Sequence, residues 1–138
     1  MTEQEKYNLI QRALEARSLS YSPYSGFSVG AALLTDGGEI YTGANVESAS
    51  YSPTVCAERV AFFSAVHKGE RNFQAIAIAG GASGKDINGF TAPCGVCRQV
   101  MAEFCDGSFE IILYNGRETA TYTLAELLPA SFGKNNLK

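Results

Sequence analysis

The run Phe73–Ala79 constrains the fold of this chain more than any other segment. It is short, continuous and apolar, and it is bounded by Gly69 and Gly80. This pattern is typical of an interior strand that is covered on both faces of its sheet. The rest of the chain must therefore supply a layer of helices on each side of that strand.

Helix signals occur at four places in the sequence. Thr2 and Glu5 form a capping box, and apolar residues recur after it at helical spacing. A second capping box, Thr123 with Glu126, begins a short final helix. The predicted helices run from Thr2 to about Leu19, over about Cys56–Lys68 with its end at Gly69, from Pro93 to about Phe104, and after Thr123.

Two hairpins complete the predicted sheet. The first joins strands over Phe27–Leu34 and Glu39–Ala44, and the second joins strands over Phe109–Tyr114 and Thr119–Tyr122. Strands interleaved with helices predict an α/β protein. We expect a three-layer α/β/α sandwich around a mixed sheet of about five strands, with residues 1–138 as a single domain.

Composition excludes several functional classes. The chain has 138 residues, of which 46% are hydrophobic and 18% charged, so it can bury a core. Eleven basic against fourteen acidic residues give a net charge of −3, which disfavours a nucleic-acid partner. The charged amino terminus and the lack of about 18 consecutive apolar residues predict a cytoplasmic protein without a membrane partner.

Three cysteines carry the strongest chemical signal. Cys56 lies at one predicted helix start, and Cys94 and Cys97 lie at another, where free backbone N–H groups lower thiol pKa values. Two such helix starts can present three sulfurs to one Zn²⁺ and leave the fourth position for water. The alternative is a closed structural zinc site with Cys105 as the fourth ligand.

Charged residues next to these cysteines suggest catalysis. Glu58 is better suited to moving protons than to binding zinc in a sulfur site, which makes it the candidate general acid–base. Arg59 and Arg98 are adjacent to the motifs and could offset the negative charge of three thiolates, or could form surface ion pairs instead.

The two motifs, Cys56-Ala57-Glu58-Arg59 and Pro93-Cys94-x-x-Cys97-Arg98-Gln99, resemble the zinc-dependent cytidine deaminase family, in particular its small free-nucleoside type with three cysteine ligands. The resemblance continues through residues 24–33, 43–47 and 127–132 and so covers nearly the whole chain. Thr91-Ala92 departs from the family pattern, where a serine usually precedes the proline.

This resemblance implies a function. Cys56, Cys94 and Cys97 would hold one zinc per chain, and Glu58 would move protons during the hydrolysis of cytidine and deoxycytidine to uridine and deoxyuridine with release of ammonia, a reaction of pyrimidine salvage. A homotetramer is also implied, in which Phe132 reaches a neighbouring subunit's site. The implied substrate-binding residues are Phe27, Asn45, Glu47, Tyr51, Ala57 and Phe132.

Two other functions are compatible with these residues. The chain could deaminate a related aminopyrimidine nucleoside such as blasticidin S, which would change what Asn45 and Glu47 bind. It could also be a zinc-stabilised module without activity. Phe27 could belong to the core alone, because aromatic residues in strands usually pack inside.

Overall fold

One mixed sheet of five strands organises this protein, whose computed structural model describes residues 1–138. The strands are β1 (Phe27–Thr35), β2 (Ile40–Ala44), β3 (Phe73–Ala82), β4 (Glu110–Tyr114) and β5 (Thr119–Thr123). Their order in the sheet is β2-β1-β3-β4-β5, so β3 occupies the centre. β3 and β4 pair in parallel, and all other neighbours pair antiparallel. The mixed five-stranded sheet predicted from the sequence is confirmed.

Helices cover both faces of the sheet. They are α1 (Glu3–Arg17), α2 (Ala57–His67), α3 (Gly95–Phe104) and α4 (Leu124–Leu127), followed by a 3₁₀ turn at Lys134–Leu137. Alternate residues of β1 face opposite layers, as the two-residue period of a strand requires. Ala32 and Leu34 belong to the core cluster of α1, whereas Ala31 and Leu33 belong to the cluster of α2 and α3. The predicted α/β/α sandwich is therefore the observed one.

Several predicted boundaries differ from the structure, and the backbone explains two of the differences. α3 begins at Gly95 rather than at Pro93, because Cys94 has the extended backbone of an N-cap residue and Pro93 lies outside the helix. β3 continues past Ala79 to Ala82, since its partner β1 extends to Phe27 and keeps Gly80 and Gly81 paired. The 3₁₀ turn near the carboxyl end was not predicted.

None of the helices combines the length and the apolar character that crossing a lipid bilayer requires.

Direct backbone contact fixes α2 against the sheet. A Cβ atom at Gly43 in β2 would lie 2.4 Å from the Ala57 carbonyl oxygen and 2.6 Å from the Ala61 amide nitrogen. Only glycine leaves room for this approach. The first turn of α2, next to Cys56, is therefore positioned by the absence of a side chain at residue 43.

We predict that Gly43→Ala lowers the free energy of unfolding by about 3 kcal/mol, because overpacking against a backbone cannot be relieved by a rotamer change. Urea denaturation measures this loss. Gly37→Ala is the matched control, since the nearest atom to its added Cβ is Thr35 Oγ1 at 3.8 Å. Equal stability of the two variants would contradict the close approach.

Candidate active site

Three cysteine sulfurs converge where α2 and α3 begin. Cys56 is the N-cap of α2, Cys94 is the N-cap of α3, and Cys97 lies in the first turn of α3. Neither N-cap cysteine uses its side chain to cap its own helix. The Sγ atoms of Cys56 and Cys94 are 3.7 Å apart, those of Cys94 and Cys97 are 3.5 Å apart, and all three lie within 4.8 Å of one another.

This donor set fits zinc. Tetrahedral Zn²⁺ with Zn–S bonds of about 2.3 Å requires sulfurs about 3.8 Å apart, close to the separations observed. Cys105 is the C-cap of α3 and lies outside the cluster. The pKa of Cys105 is raised to about 12, mainly by burial of its thiol. The chain therefore offers three sulfurs and leaves a fourth position open.

The sulfurs are electrostatically unequal. Hydrogen bonding from Cys97, and then from Arg59 and Cys94, lowers the pKa of Cys56 to about 5 against the opposing effect of burial. The hydrogen bond to Cys56 and burial raise the pKa of Cys97. Cys56 is therefore the sulfur of the cluster that most readily carries a negative charge.

Arg59 contacts the cluster directly. Its Nη2 donates to Cys56 Sγ at 3.5 Å, and its Nε is buried without a hydrogen-bond partner. A cation at this distance stabilises the negative charge that several thiolates bring to one place. The structure places Arg59 where a residue offsetting that charge must lie.

Arg98 has a different set of contacts. Its Nε donates to the Pro93 carbonyl oxygen and its Nη1 to the Leu127 carbonyl oxygen, each at 2.7 Å. It forms no hydrogen bond with a ligand sulfur. Arg98 therefore ties the segment before α3 to the end of α4, a positioning role that the sequence analysis did not predict.

Glu58 lies in the first turn of α2 and is 4% exposed. Burial is the first cause that raises the pKa of Glu58 to about 7, and the negative charge of Cys56 adds to it. A carboxyl group with a pKa near neutrality can both accept and release a proton at physiological pH. The burial and the raised pKa of Glu58 fit the general acid–base role predicted for it, which stays a prediction.

Two further predicted residues, Asn45 and Glu47, follow β2 and are held by hydrogen bonds. Asn45 is buried, and its Nδ2 donates to the Phe27 carbonyl oxygen at 2.9 Å. Glu47 Oε1 accepts from the backbone N–H groups of Tyr24 and Ser25 at 3.0 and 3.1 Å, and Glu47 Oε2 accepts from the Ser25 hydroxyl. The hydrogen bond from the Ser25 hydroxyl has the largest effect in lowering the pKa of Glu47. Its carboxylate is therefore an anion at neutral pH.

The predicted aromatic contacts are exposed. Phe27 is 42%, Tyr51 75% and Phe132 60% exposed, so Phe27 is not a plain core residue. Tyr51 has a φ of 63°, a strained conformation for a bulky residue. Ala57, by contrast, is fully buried.

A cavity of about 380 Å³ brings Glu47 and Tyr51 together. Phe132 lies in the carboxyl-terminal segment, where its carbonyl oxygen accepts from Gln99 Nε2 at 2.8 Å. The substrate-binding roles of these residues stay predictions. The cavity is lined by Tyr24, Ser25, Glu47, Ser48, Tyr51 and Thr54.

Two further residues of the site were not predicted from the sequence. Ser20 binds the side chain of Asn45, and Ser25 binds that of Glu47. Both serines lie between the first predicted helix and the predicted strand that begins at Phe27. The available signal was the repetition of serine at positions 20, 22 and 25 before a strand. Their partners, about twenty residues away, could not be identified from local spacing.

Comparisons with known proteins agree with this site. A family model described as the cytidine and deoxycytidylate deaminase zinc-binding region matches residues 3–112. The chain is 48% identical over 130 residues to a cytidine deaminase from Sporosarcina psychrophila, covering 94% of this chain and 92% of that protein. Together with the three-sulfur cluster, the zinc-binding family model confirms the predicted zinc cofactor.

The fold is likewise similar to a solved structure. The crystal structure of cytidine deaminase from Burkholderia pseudomallei has a TM-score of 0.85 and 44% identity, covering 96% of this chain and all (100%) of that chain. A blasticidin-S deaminase from Bacillus cereus is 30% identical over 135 residues, covering 96% of this chain and 95% of that protein. The chain is thus less similar to that deaminase than to the Sporosarcina protein.

We predict that Cys97→Ala loses the bound zinc, because two sulfurs cannot replace three in the first coordination shell. Metal analysis of the purified protein gives the zinc content per chain. Cys105→Ala is the matched control and keeps a full equivalent. Zinc loss from Cys105→Ala, or wild-type zinc affinity in Cys97→Ala, would show that the ligands are assigned incorrectly.

Proposed function

Because this chain belongs to the cytidine and deoxycytidylate deaminase family, we propose that it is a zinc-dependent cytidine deaminase. It hydrolyses cytidine and deoxycytidine to uridine and deoxyuridine and releases ammonia, as an enzyme of pyrimidine salvage. The observation that carries the proposal is the juxtaposition of the three sulfurs with the buried carboxyl group of Glu58. A zinc module without activity would not need that carboxyl group, whose burial is unfavourable when it is charged.

The metal would be held by Cys56, Cys94 and Cys97. When bound, zinc supplies Lewis-acid chemistry that makes water nucleophilic at neutral pH. The chain's own contribution is to keep these sulfurs together at two helix N-termini, where the helix dipoles favour negative charge. Arg59 adds a full positive charge beside Cys56.

Glu58 is the proton carrier in this proposal. Deamination requires a proton at N3 of the cytosine ring and another on the leaving amine, while the attacking water loses its protons. A single buried carboxyl group that titrates near pH 7 can serve each of these transfers in turn. Its burial also keeps bulk water from competing for the proton.

The other end of the site would bind the sugar. Glu47 is an anionic acceptor and Asn45 an amide held next to β1, and together they suit hydroxyl groups. Phe27, whose carbonyl oxygen accepts from Asn45, and Tyr51, which lines the same cavity as Glu47, both offer exposed aromatic surface. The proposed substrate is therefore a free nucleoside rather than a nucleic acid.

The proposal includes a homotetramer in a reducing, cytoplasmic compartment. Free cysteines are required as zinc ligands, and all four cysteines of the chain are free. Exposed apolar side chains on α2, α3 and the carboxyl-terminal segment, such as Phe63, Val96 and Phe132, support burial against other copies of the chain.

We predict a tetramer of 14.7 kDa chains in sedimentation equilibrium. Phe132→Ala is expected to lower kcat/KM for cytidine, because Phe132 would complete a neighbouring subunit's site. Tyr122→Ala, which removes an exposed aromatic residue from the edge strand β5, is the control. A fully active monomer would contradict the assembly.

We predict that Glu58→Gln keeps its zinc and its fold but loses roughly a thousandfold in kcat, because an amide cannot carry the proton. Ammonia release and metal analysis measure the two properties. Glu103→Gln, on the exposed side of α3, should behave like the wild type. Activity of Glu58→Gln within tenfold of the wild type would reject the proposed role.

Substrate selection gives a separate prediction. We expect kcat/KM for cytidine to exceed that for 3′-CMP and for a cytidine-containing oligonucleotide by about a hundredfold or more, since a 3′-phosphate would meet the Glu47 carboxylate. Glu47→Gln should reduce the ratio of kcat/KM for cytidine to that for 3′-CMP and should also lower kcat/KM for cytidine. Glu39→Gln should change neither value. Comparable turnover of the oligonucleotide would contradict the free-nucleoside assignment.

A further inference from the structure

Asn45 has its amide orientation fixed by the backbone of β1. Its Oδ1 accepts from the Val29 N–H at 2.9 Å, and its Nδ2 donates to the Phe27 carbonyl oxygen at 2.9 Å. Rotating the amide by half a turn would bring Nδ2 against the Val29 N–H and Oδ1 against the Phe27 carbonyl oxygen, so that donor would face donor and acceptor would face acceptor. The side chain therefore has one orientation only.

Ser20 occupies what remains of the acceptor capacity of Asn45. Its hydroxyl donates to Asn45 Oδ1 at 2.6 Å, so this oxygen already accepts two hydrogen bonds. The second N–H of Nδ2 has no partner in the protein and is the one hydrogen-bonding group of the amide that is still available. Asn45 can consequently offer a substrate a donor but not an acceptor.

Ser20 is itself held in a chain of hydroxyl groups. Its Oγ lies 3.1 Å from that of Ser22, which contacts Ser28 at 3.0 Å and Ser83 at 3.1 Å. The hydroxyls of Ser28 and Ser83 are 2.6 Å apart, and Ser28 is buried. Connected hydroxyls of this kind polarise one another and strengthen each bond.

The same loop holds Glu47. Residues 20–25, the serine loop, bind its carboxylate through the Tyr24 and Ser25 N–H groups and the Ser25 hydroxyl. They also join the two residues through the backbone, since the Tyr21 N–H donates to the Asn45 carbonyl oxygen and the Glu47 N–H donates to the Tyr21 carbonyl oxygen, each at 2.9 Å. One loop thus orients both polar side chains.

We propose that Ser20 is a positioning residue that makes Asn45 a donor-only group, while the serine loop presents Glu47 as an acceptor-only group. This inference rests on the proposed function, because it takes Asn45 and Glu47 as the sugar-binding pair. The site then recognises a hydroxyl that accepts from Asn45 and donates to Glu47. A sugar without such a hydroxyl group leaves the second Nδ2 N–H of Asn45 and the remaining acceptor capacity of Glu47 without a partner, which is the basis of strong discrimination.

The test compares cytidine with 2′,3′-dideoxycytidine, which lacks both ring hydroxyls, in the zinc-loaded protein. We expect Ser20→Ala to reduce the ratio of their kcat/KM values by about tenfold, through a loss on cytidine alone, because Asn45 Oδ1 then has a free acceptor site that competes with Glu47 for the proton of the sugar hydroxyl. Ser20→Thr keeps a hydroxyl group and should restore the wild-type ratio. The control is Ser18→Ala, whose hydroxyl donates only to the Glu15 carbonyl oxygen.

Two outcomes for Ser20→Ala would overturn the inference. Unchanged kcat/KM values for both nucleosides would show that Asn45 does not depend on Ser20, and an equal loss on both nucleosides would show a purely structural role. Wild-type protein that releases no ammonia from cytidine would contradict the proposed function itself. If Ser20→Ala does not fold, Ser20→Cys, with its weaker donor, should give an intermediate ratio, and a wild-type ratio would again overturn the inference.

Discussion

The approach of two helix N-termini to one point is the constraint on which the rest of this structure depends. Three sulfurs within 4.8 Å of one another would repel as thiolates. Positive helix ends, the Arg59 guanidinium and a bound cation are the available compensation. α2 reaches this point because Gly43 lets its backbone rest directly on β2, and α3 packs into the same core cluster as α2 through Cys97 and Met101.

The two ends of the site have opposite physical character. Around the sulfurs, burial disfavours the charged form of a carboxyl group and raises the pKa of Glu58 to about 7. Around Asn45 and Glu47, hydroxyl and backbone N–H donors fill the space, and their hydrogen bonds lower the pKa of Glu47. In the proposed function, proton transfer takes place at the first end of the site. The sugar is bound at the second.

Local patterns in the sequence predicted the elements of the fold well. The capping boxes at Thr2 and Thr123 are both present in the structure, and the interior run that begins at Phe73 is the central strand. The cysteine spacing likewise predicted the metal cluster. The capping boxes, the apolar run and the spacing of Cys94 and Cys97 could be predicted because each depends on residues a few positions apart. The association of Cys56 with Cys94, 38 residues away, was predicted from two helix-start motifs and the family resemblance.

Contacts between distant segments could not be predicted in this way. Arg98 lies beside a ligand in sequence but binds the Leu127 carbonyl oxygen, 29 residues away. Ser20 binds Asn45 across 25 residues, through a bond that only the paired strands and their loops bring about. Periodicity and composition carry no information on such pairs, and the second layer of the site is made of them.

The zinc requirement of this chain in deaminating a free cytosine nucleoside connects its three sulfurs to its function. It is tested most directly by ammonia release from cytidine with protein as purified, after zinc removal by a chelator, and after zinc is added back. We expect the release of ammonia to stop when the metal is removed and to return when about one zinc per chain is restored. Full activity of the zinc-free protein, or no ammonia from the zinc-loaded protein, would contradict it.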